Sequence, residues 1–208
     1  MEKDKALDII NKISLLFPDA HCELNYHNVF ELVVATILSA QTTDKVVNTV
    51  TPTLFNKYPD CKALAKANIN EVIDIIKGVG LANNKAKNII NLSIELVNNY
   101  NSIVPNDFDS LVKLPGIGRK TANVILSEGF NLPGLAVDTH VSRVSYKLAL
   151  TKEKDPEKIE KHLKELYEPN IWGDVHLKLL FFGRYFCTAK KPNCDECPFK
   201  NECIDYKN

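Results

Sequence analysis

Glycine is scarce in this chain, 8 in 208 residues, and no Asn-Gly or Asp-Gly pair joins two alternating apolar segments. That excludes a protein built from tight β-hairpins. No apolar run approaches the roughly 18 residues of a membrane span. Neither sign of charge is in excess, with 26 Lys+Arg against 26 Asp+Glu, so the total gives no bias towards an anionic or a cationic partner. No tandem repeat of fixed period and no low-complexity tract interrupts the chain. Residues 1–17 carry Glu2, Lys3, Asp4, Lys5, Asp8 and Lys12, a pattern that no secretory leader has, so a cytoplasmic protein is expected. What is present is 45% hydrophobic and 25% charged residues, enough apolar material for one or two packed domains and too much for disorder.

Distribution says more than the sum. Residues 1–76 carry seven bases and ten acids, residues 77–147 eight and five, residues 148–177 five and seven, and residues 178–208 six and four. The second and fourth segments are therefore mildly basic. Almost every segment has apolar residues at three- and four-residue spacing, which predicts helices over 6–17, 29–38, 46–57, 69–76, 84–100, 108–114, 119–127, 138–148, 156–167 and 172–186. The fold class is all-α with short linkers, and the turn-prone Asn131-Leu132-Pro133-Gly134 marks a boundary.

Three constellations carry chemistry. The first is Leu114-Pro115-Gly116-Ile117-Gly118-Arg119-Lys120-Thr121-Ala122. Gly116 and Gly118 allow positive φ and unobstructed amides, and a predicted helix follows directly, a combination suited to a phosphate oxygen. An ordinary interhelical turn can look the same, and without a preceding strand or a third glycine this is no dinucleotide fingerprint. Arg119 and Lys120 add positive charge there. The second is Val137-Asp138-Thr139-His140-Val141, where Asp138 can cap the next helix or serve as a carboxylate partner to the Lys120 amine. Such a pair suits attack on a sugar, the amine as nucleophile and the carboxylate opposing positive charge. The third is Cys187-x6-Cys194-x2-Cys197-x5-Cys203. Four thiols in one short segment of a chain expected to be cytoplasmic point to a metal centre rather than disulfides, either zinc or an iron–sulfur cluster. Cys22 and Cys61 stand alone and are expected to be buried apolar residues.

Taken together, Leu38-Ser39-Ala40-Gln41-Thr42, Gly80-Leu81, the Leu114 to Ala122 turn, Val137 to Val141 and the four-cysteine C-terminus resemble the endonuclease III family in order and spacing. These are the DNA glycosylase/AP lyases of base-excision repair, and the likeness covers essentially the whole chain. The resemblance implies a two-domain helix-hairpin-helix DNA glycosylase fold. Residues 22–132 would form a six-helix barrel with the hairpin near 108–127. Residues 1–21 and 133–208 would form a discontinuous iron–sulfur domain, with a DNA cleft between the two.

It also implies a [4Fe–4S] cluster on Cys187, Cys194, Cys197 and Cys203, in place of zinc. By the same resemblance Lys120 is the nucleophile and Asp138 its catalytic carboxylate. Gln41 and Leu81 would fill and wedge the helix opened by a flipped nucleotide. Gly116, Gly118, Arg119, His140, Lys190 and Lys191 would meet DNA. The expected partner is duplex DNA with an oxidised pyrimidine or an abasic site, cut 3′ to the lesion by β-elimination, and the expected state is a nucleoid-associated monomer. Ala82 and Phe182 depart from the family pattern, an aromatic and a histidine being common there, which bears on lesion preference and pocket lining. The related adenine glycosylases lack a lysine at the Lys120 position and carry a further C-terminal domain. Only five residues follow Cys203, so no such domain is expected.

Overall fold

Buried stripes at helical spacing decide where each helix lies in the computed structural model, which describes residues 2–206. Helix α1 (Lys3–Leu16) buries Ala6, Ile9, Ile10 and Ile13 and stops before Pro18, which cannot continue a helix. Helix α2 (Val29–Leu38) is capped by the Asn28 side chain and buries every residue from Glu31 to Leu38. A helix apolar on all sides must be wrapped on all sides, and α2 packs against α3 (Asp44–Lys57), α6 (Ala82–Asn99) and α8 (Arg119–Val124). Helices α4 (Cys61–Leu64) and α5 (Ile69–Ile76) lie on α6, and α7 (Phe108–Leu111) packs on α8. The chain continues through α9 (Thr139–Lys147), α10 (Pro156–Leu166) and α11 (Trp172–Phe181).

Several details differ from the apolar pattern: α1 and α6 begin before their apolar residues do, and α7 stops at Leu111 instead of Leu114. Helix α4 was not predicted, since four residues show no period. Helix α3 begins two residues earlier than its apolar residues do. The last turns of α8 and α11 widen into π turns at Ile125–Gly129 and Phe182–Phe186. In the second of these, the amide of Cys187 reaches back five residues to the carbonyl of Phe182 at 2.7 Å.

The chain divides into two compact units, residues 23–131 and residues 1–22 with 132–208. The first is the α2–α8 assembly. In the second, the α1 stripe joins Val141 and Val144 of α9, Ile159 and Leu163 of α10, Val175 and Leu179 of α11, and Phe182 and Phe199 in one core. Cys61 is buried at 4% exposure. Cys22, expected to be buried, is only partly so, because it sits in the irregular stretch between α1 and α2. Among the described residues no helix is long and apolar enough to cross a membrane.

Candidate DNA-repair site and four-thiol cavity

The hairpin turn is built from backbone preferences. The amide of Ile117 donates to the carbonyl of Leu114 at 3.1 Å, with Pro115 and Gly116 between them and Gly116 at φ 81°. Proline followed by a glycine of positive φ makes a type II turn. Leu114, Ile117 and Ala122 are buried and anchor it. A Cβ on Gly116 would lie 3.0 Å from the Cβ of Asn88, whereas a Cβ on Gly118 would meet nothing within 4 Å. Gly118 has φ −100°, so neither strain nor packing within the protein demands a glycine there. The space above it is open to an approaching molecule.

Helix α8 starts at once, leaving its first-turn amides without intrahelical acceptors. Lys120, its second residue, is exposed and forms no ion pair among the described residues. Arg119 does not project in the same way, because its guanidinium lies 4.9 Å from the centre of the Phe108 ring, a cation–π contact.

Gln41 and Leu81, far apart in sequence, are brought together. Both are exposed and both adopt left-handed backbone, φ 54° and 60°. Ala82 begins α6 directly after Leu81. The Gly80 amide donates to the Thr42 hydroxyl at 3.2 Å, and the Lys85 amine donates to the Leu38 carbonyl at 2.7 Å and to the same hydroxyl at 2.9 Å. Sequence reasoning missed Lys85 and Thr42. The signal was there: Lys85 shares the buried stripe of α6 with Ile89, Leu92 and Leu96.

Asp138 lies in the other unit. Its Oδ1 accepts the Val141 amide at 2.8 Å, capping α9, and it is half-buried. Both roles offered by the sequence remain open to it, since a cap uses one carboxylate oxygen. His140 is half-buried, with Nδ1 3.4 Å from a guanidinium nitrogen of Arg143. Lys190 and Lys191 are exposed on the loop before Cys194.

Cys187, Cys194, Cys197 and Cys203 line one cavity, walled by Phe182, Phe186 and Pro192 and edged by Lys147. None is in a disulfide. Burial pushes the Cys187 thiol up, while Lys147 and Arg143 oppose the shift. Arg143 donates to the carbonyls of Gly183 at 2.7 Å and Cys187 at 3.0 Å, and its buried Nε has no partner among the described residues. Among those residues no three His, Cys, Asp or Glu side chains converge tightly enough for a single ion. Four thiols lining one cavity fit a cluster held by cysteine thiolates, and the orphaned Arg143 donor and the Lys147 ammonium fit its negative charge. Phe182 lies fully buried with its ring edge-on to Phe199 at 5.3 Å. It also walls the thiol cavity.

An all-helical unit carrying a helix-hairpin-helix turn, joined in one chain to a unit with a four-thiol cavity, defines a helix-hairpin-helix iron–sulfur protein. Comparison with known proteins makes this particular. The family model of HhH-GPD superfamily base excision DNA repair proteins matches residues 34–169, and that of the iron–sulfur binding domain of endonuclease III matches residues 187–203. Endonuclease III of Bacillus subtilis is 49% identical over 93% of this chain and 89% of its own length. That of Escherichia coli is 39% identical over 100% and 98%. A solved structure of a trapped endonuclease III–DNA covalent intermediate matches with a TM-score of 0.96 at 42% identity, covering 100% of this chain and 98% of that one. The chain belongs to the endonuclease III family of the HhH-GPD base-excision repair superfamily, and its cofactor is the [4Fe–4S] cluster of that family.

Proposed function

We propose that this chain, a DNA glycosylase/AP lyase by family, removes oxidised pyrimidines from duplex DNA and then cuts the strand 3′ to the abasic site. The observation that carries the reading is Lys120: an exposed amine, unpaired among the described residues, on the first turn of the helix that follows a type II hairpin turn. Its free-base form attacks C1′ of the flipped nucleotide, and the base departs with the bonding electrons and takes up a proton. Nζ, now bonded to C1′, sheds a proton as the C1′–O4′ bond opens and O4′ takes up a proton, which leaves an iminium between Nζ and C1′. Loss of a proton from C2′ then expels the 3′ phosphate, and water releases the lysine. Asp138, with one oxygen engaged in capping, opposes the positive charge that develops on the sugar.

Gln41 and Leu81 enter the opened helix, while the hairpin amides at Gly116 and Gly118, with Arg119, His140, Lys190 and Lys191, meet DNA. Cys187, Cys194, Cys197 and Cys203 hold the cluster, which supplies ligation energy that orders the C-terminal segment. The protein acts as a monomer.

The test is a duplex with one thymine glycol, incubated with and without borohydride. Borohydride traps a covalent adduct with the native chain, and Lys120→Gln abolishes trapping while still binding the duplex. Efficient trapping by that variant places the nucleophile elsewhere. Binding should also weaken with salt at a log–log slope of about −0.9 per neutralised phosphate.

A further inference from the structure

Two lysines are almost wholly buried, Lys85 at 4% exposure and Lys178 at 5%. Lys178 is explained by what surrounds it: Asp174 lies 3.9 Å away, and the amine ties down the end of α1 through the carbonyls of Phe17 and Pro18. Lys85 has no carboxylate partner among the described residues, and burial alone lowers its pKa. An uncompensated buried amine is unfavourable, so its retention asks for a return elsewhere in the molecule.

That return is the geometry of two turns. The Leu38 carbonyl that accepts from Lys85 is at the end of α2, where helix carbonyls lack intrahelical donors and carry the negative end of the dipole. Thr42 Oγ1 accepts from Lys85 and from the Gly80 amide, and its hydroxyl points to the Ala40 carbonyl at 3.5 Å. Two acceptor positions and one donor are the full capacity of a hydroxyl. The knot therefore joins the turn after α2, which carries Gln41, to the turn before α6, which carries Leu81. Both tips hold left-handed backbone at side chains that are not glycine, a strained conformation that persists only where the surroundings enforce it. Both side chains are themselves exposed, Leu81 at 59%, so the enforcement comes from the base of the turns and not from packing at their tips.

We infer that Lys85 is a positioning residue which, through Thr42, locks the Gln41 and Leu81 turns into one rigid unit that enters the DNA helix together. The inference rests on the reading of Gln41 and Leu81 as the helix-invading residues. Lys85 itself touches neither DNA nor the reacting sugar.

The experiment separates helix invasion from chemistry. Lys85→Met keeps the apolar stem and removes the donors; Thr42→Val removes the other end of the knot; Thr42→Ser keeps the hydroxyl. Each full-length holoprotein is assayed for strand cleavage at one abasic site, first in duplex DNA and then in the same oligonucleotide single-stranded, where there is no helix to invade. Because both rates come from one preparation, the fraction of folded protein cancels in their ratio. The duplex to single-strand ratio is expected to fall at least tenfold in Lys85→Met and in Thr42→Val, and to stay within twofold of the native value in Thr42→Ser. An unchanged ratio in either of the first two, or a Thr42→Ser protein as impaired as Thr42→Val, overturns the inference. Should Lys85→Met yield no folded protein, the two Thr42 variants decide by the same criterion. A native protein that cuts neither substrate refutes the lyase reading instead, and is thereby distinguished from a failure of the clamp.

Discussion

The hairpin turn and the cysteine segment are both irregular backbone, and they are held in opposite ways. At the hairpin, Pro115 and Gly116 impose the turn locally, and Leu114, Ile117 and Ala122 anchor it in a core. Across residues 188–206 the chain forms turns without regular helix, and Phe199 is the one buried side chain. The end of that segment is tied back by the Ile204 amide to the Lys147 carbonyl at 2.9 Å and by the Lys147–Asp205 pair. One region carries its shape in its own residues; the other has few contacts of its own, so ligation is expected to order it. The hairpin should therefore survive loss of the cofactor and the cysteine segment should not.

The sharpest way to break this contrast is to remove the iron. Chelation, or Cys197→Ser, should raise amide exchange at Cys203 and Ile204 by about 100-fold or more as the segment opens, with the Ile117 and Ala122 amides still protected. Exchange measured beside iron content checks this, and equal loss of protection in both regions would erase the distinction. Next in size is Phe199→Ala, expected to cost about 3–5 kcal/mol, read as a fall in melting temperature of the cluster-loaded protein.

The two hairpin glycines sharpen the other side. Gly116→Ala forces a left-handed alanine against Asn88 and should cost about 1–2 kcal/mol. Gly118→Ala should leave stability unchanged or raise it by about 0.4–1 kcal/mol, yet weaken DNA binding by filling the space a phosphate would use. Melting and binding measured on both variants should therefore move in opposite patterns.

A loss no larger than that at Gly116 concerns the packed part of the cysteine-bearing unit. Tyr167 is buried and donates to the Ala6 carbonyl at 3.1 Å, so Tyr167→Phe should cost about 1 kcal/mol. Burial raises the Tyr167 pKa, so its contribution is complete below the ordinary phenol range and is lost as pH rises above about 10, where the unfolded chain ionises first. The native protein should lose stability across that window more steeply than Tyr167→Phe does, as melting at pH 9 and 11 would show.

Much of the fold was legible because buried stripes at helical spacing extend over two turns or more, as in α1, α6 and α10. Helix α4 was not, since a single turn has no period to detect. The π turn at Phe182–Phe186 was not, because one residue of extra winding leaves the apolar pattern of α11 unchanged. At the site, the Pro115-Gly116 turn and the Asp138 cap follow from local backbone chemistry and could be read in advance. The Lys85–Thr42 knot joins residues 43 apart in sequence through a polar contact, which no local pattern encodes. Arg119 shows the opposite limit: its charge was legible, but its contact with Phe108 depends on how α7 meets α8.

The discontinuity of the cysteine-bearing unit also sets an order of events in time. Helix α1 buries its stripe against elements that begin at Leu132, so on a growing chain its apolar face emerges well before its partners. At a synthesis rate of about 5–20 residues per second, that wait is roughly 5–20 s. The unit of residues 23–131 has all its contacts within one uninterrupted stretch and can close during the interval, with its hairpin already formed. The four cysteines follow the 23–131 unit along the chain, so the metal centre can assemble only after the Lys120-bearing unit has been synthesised.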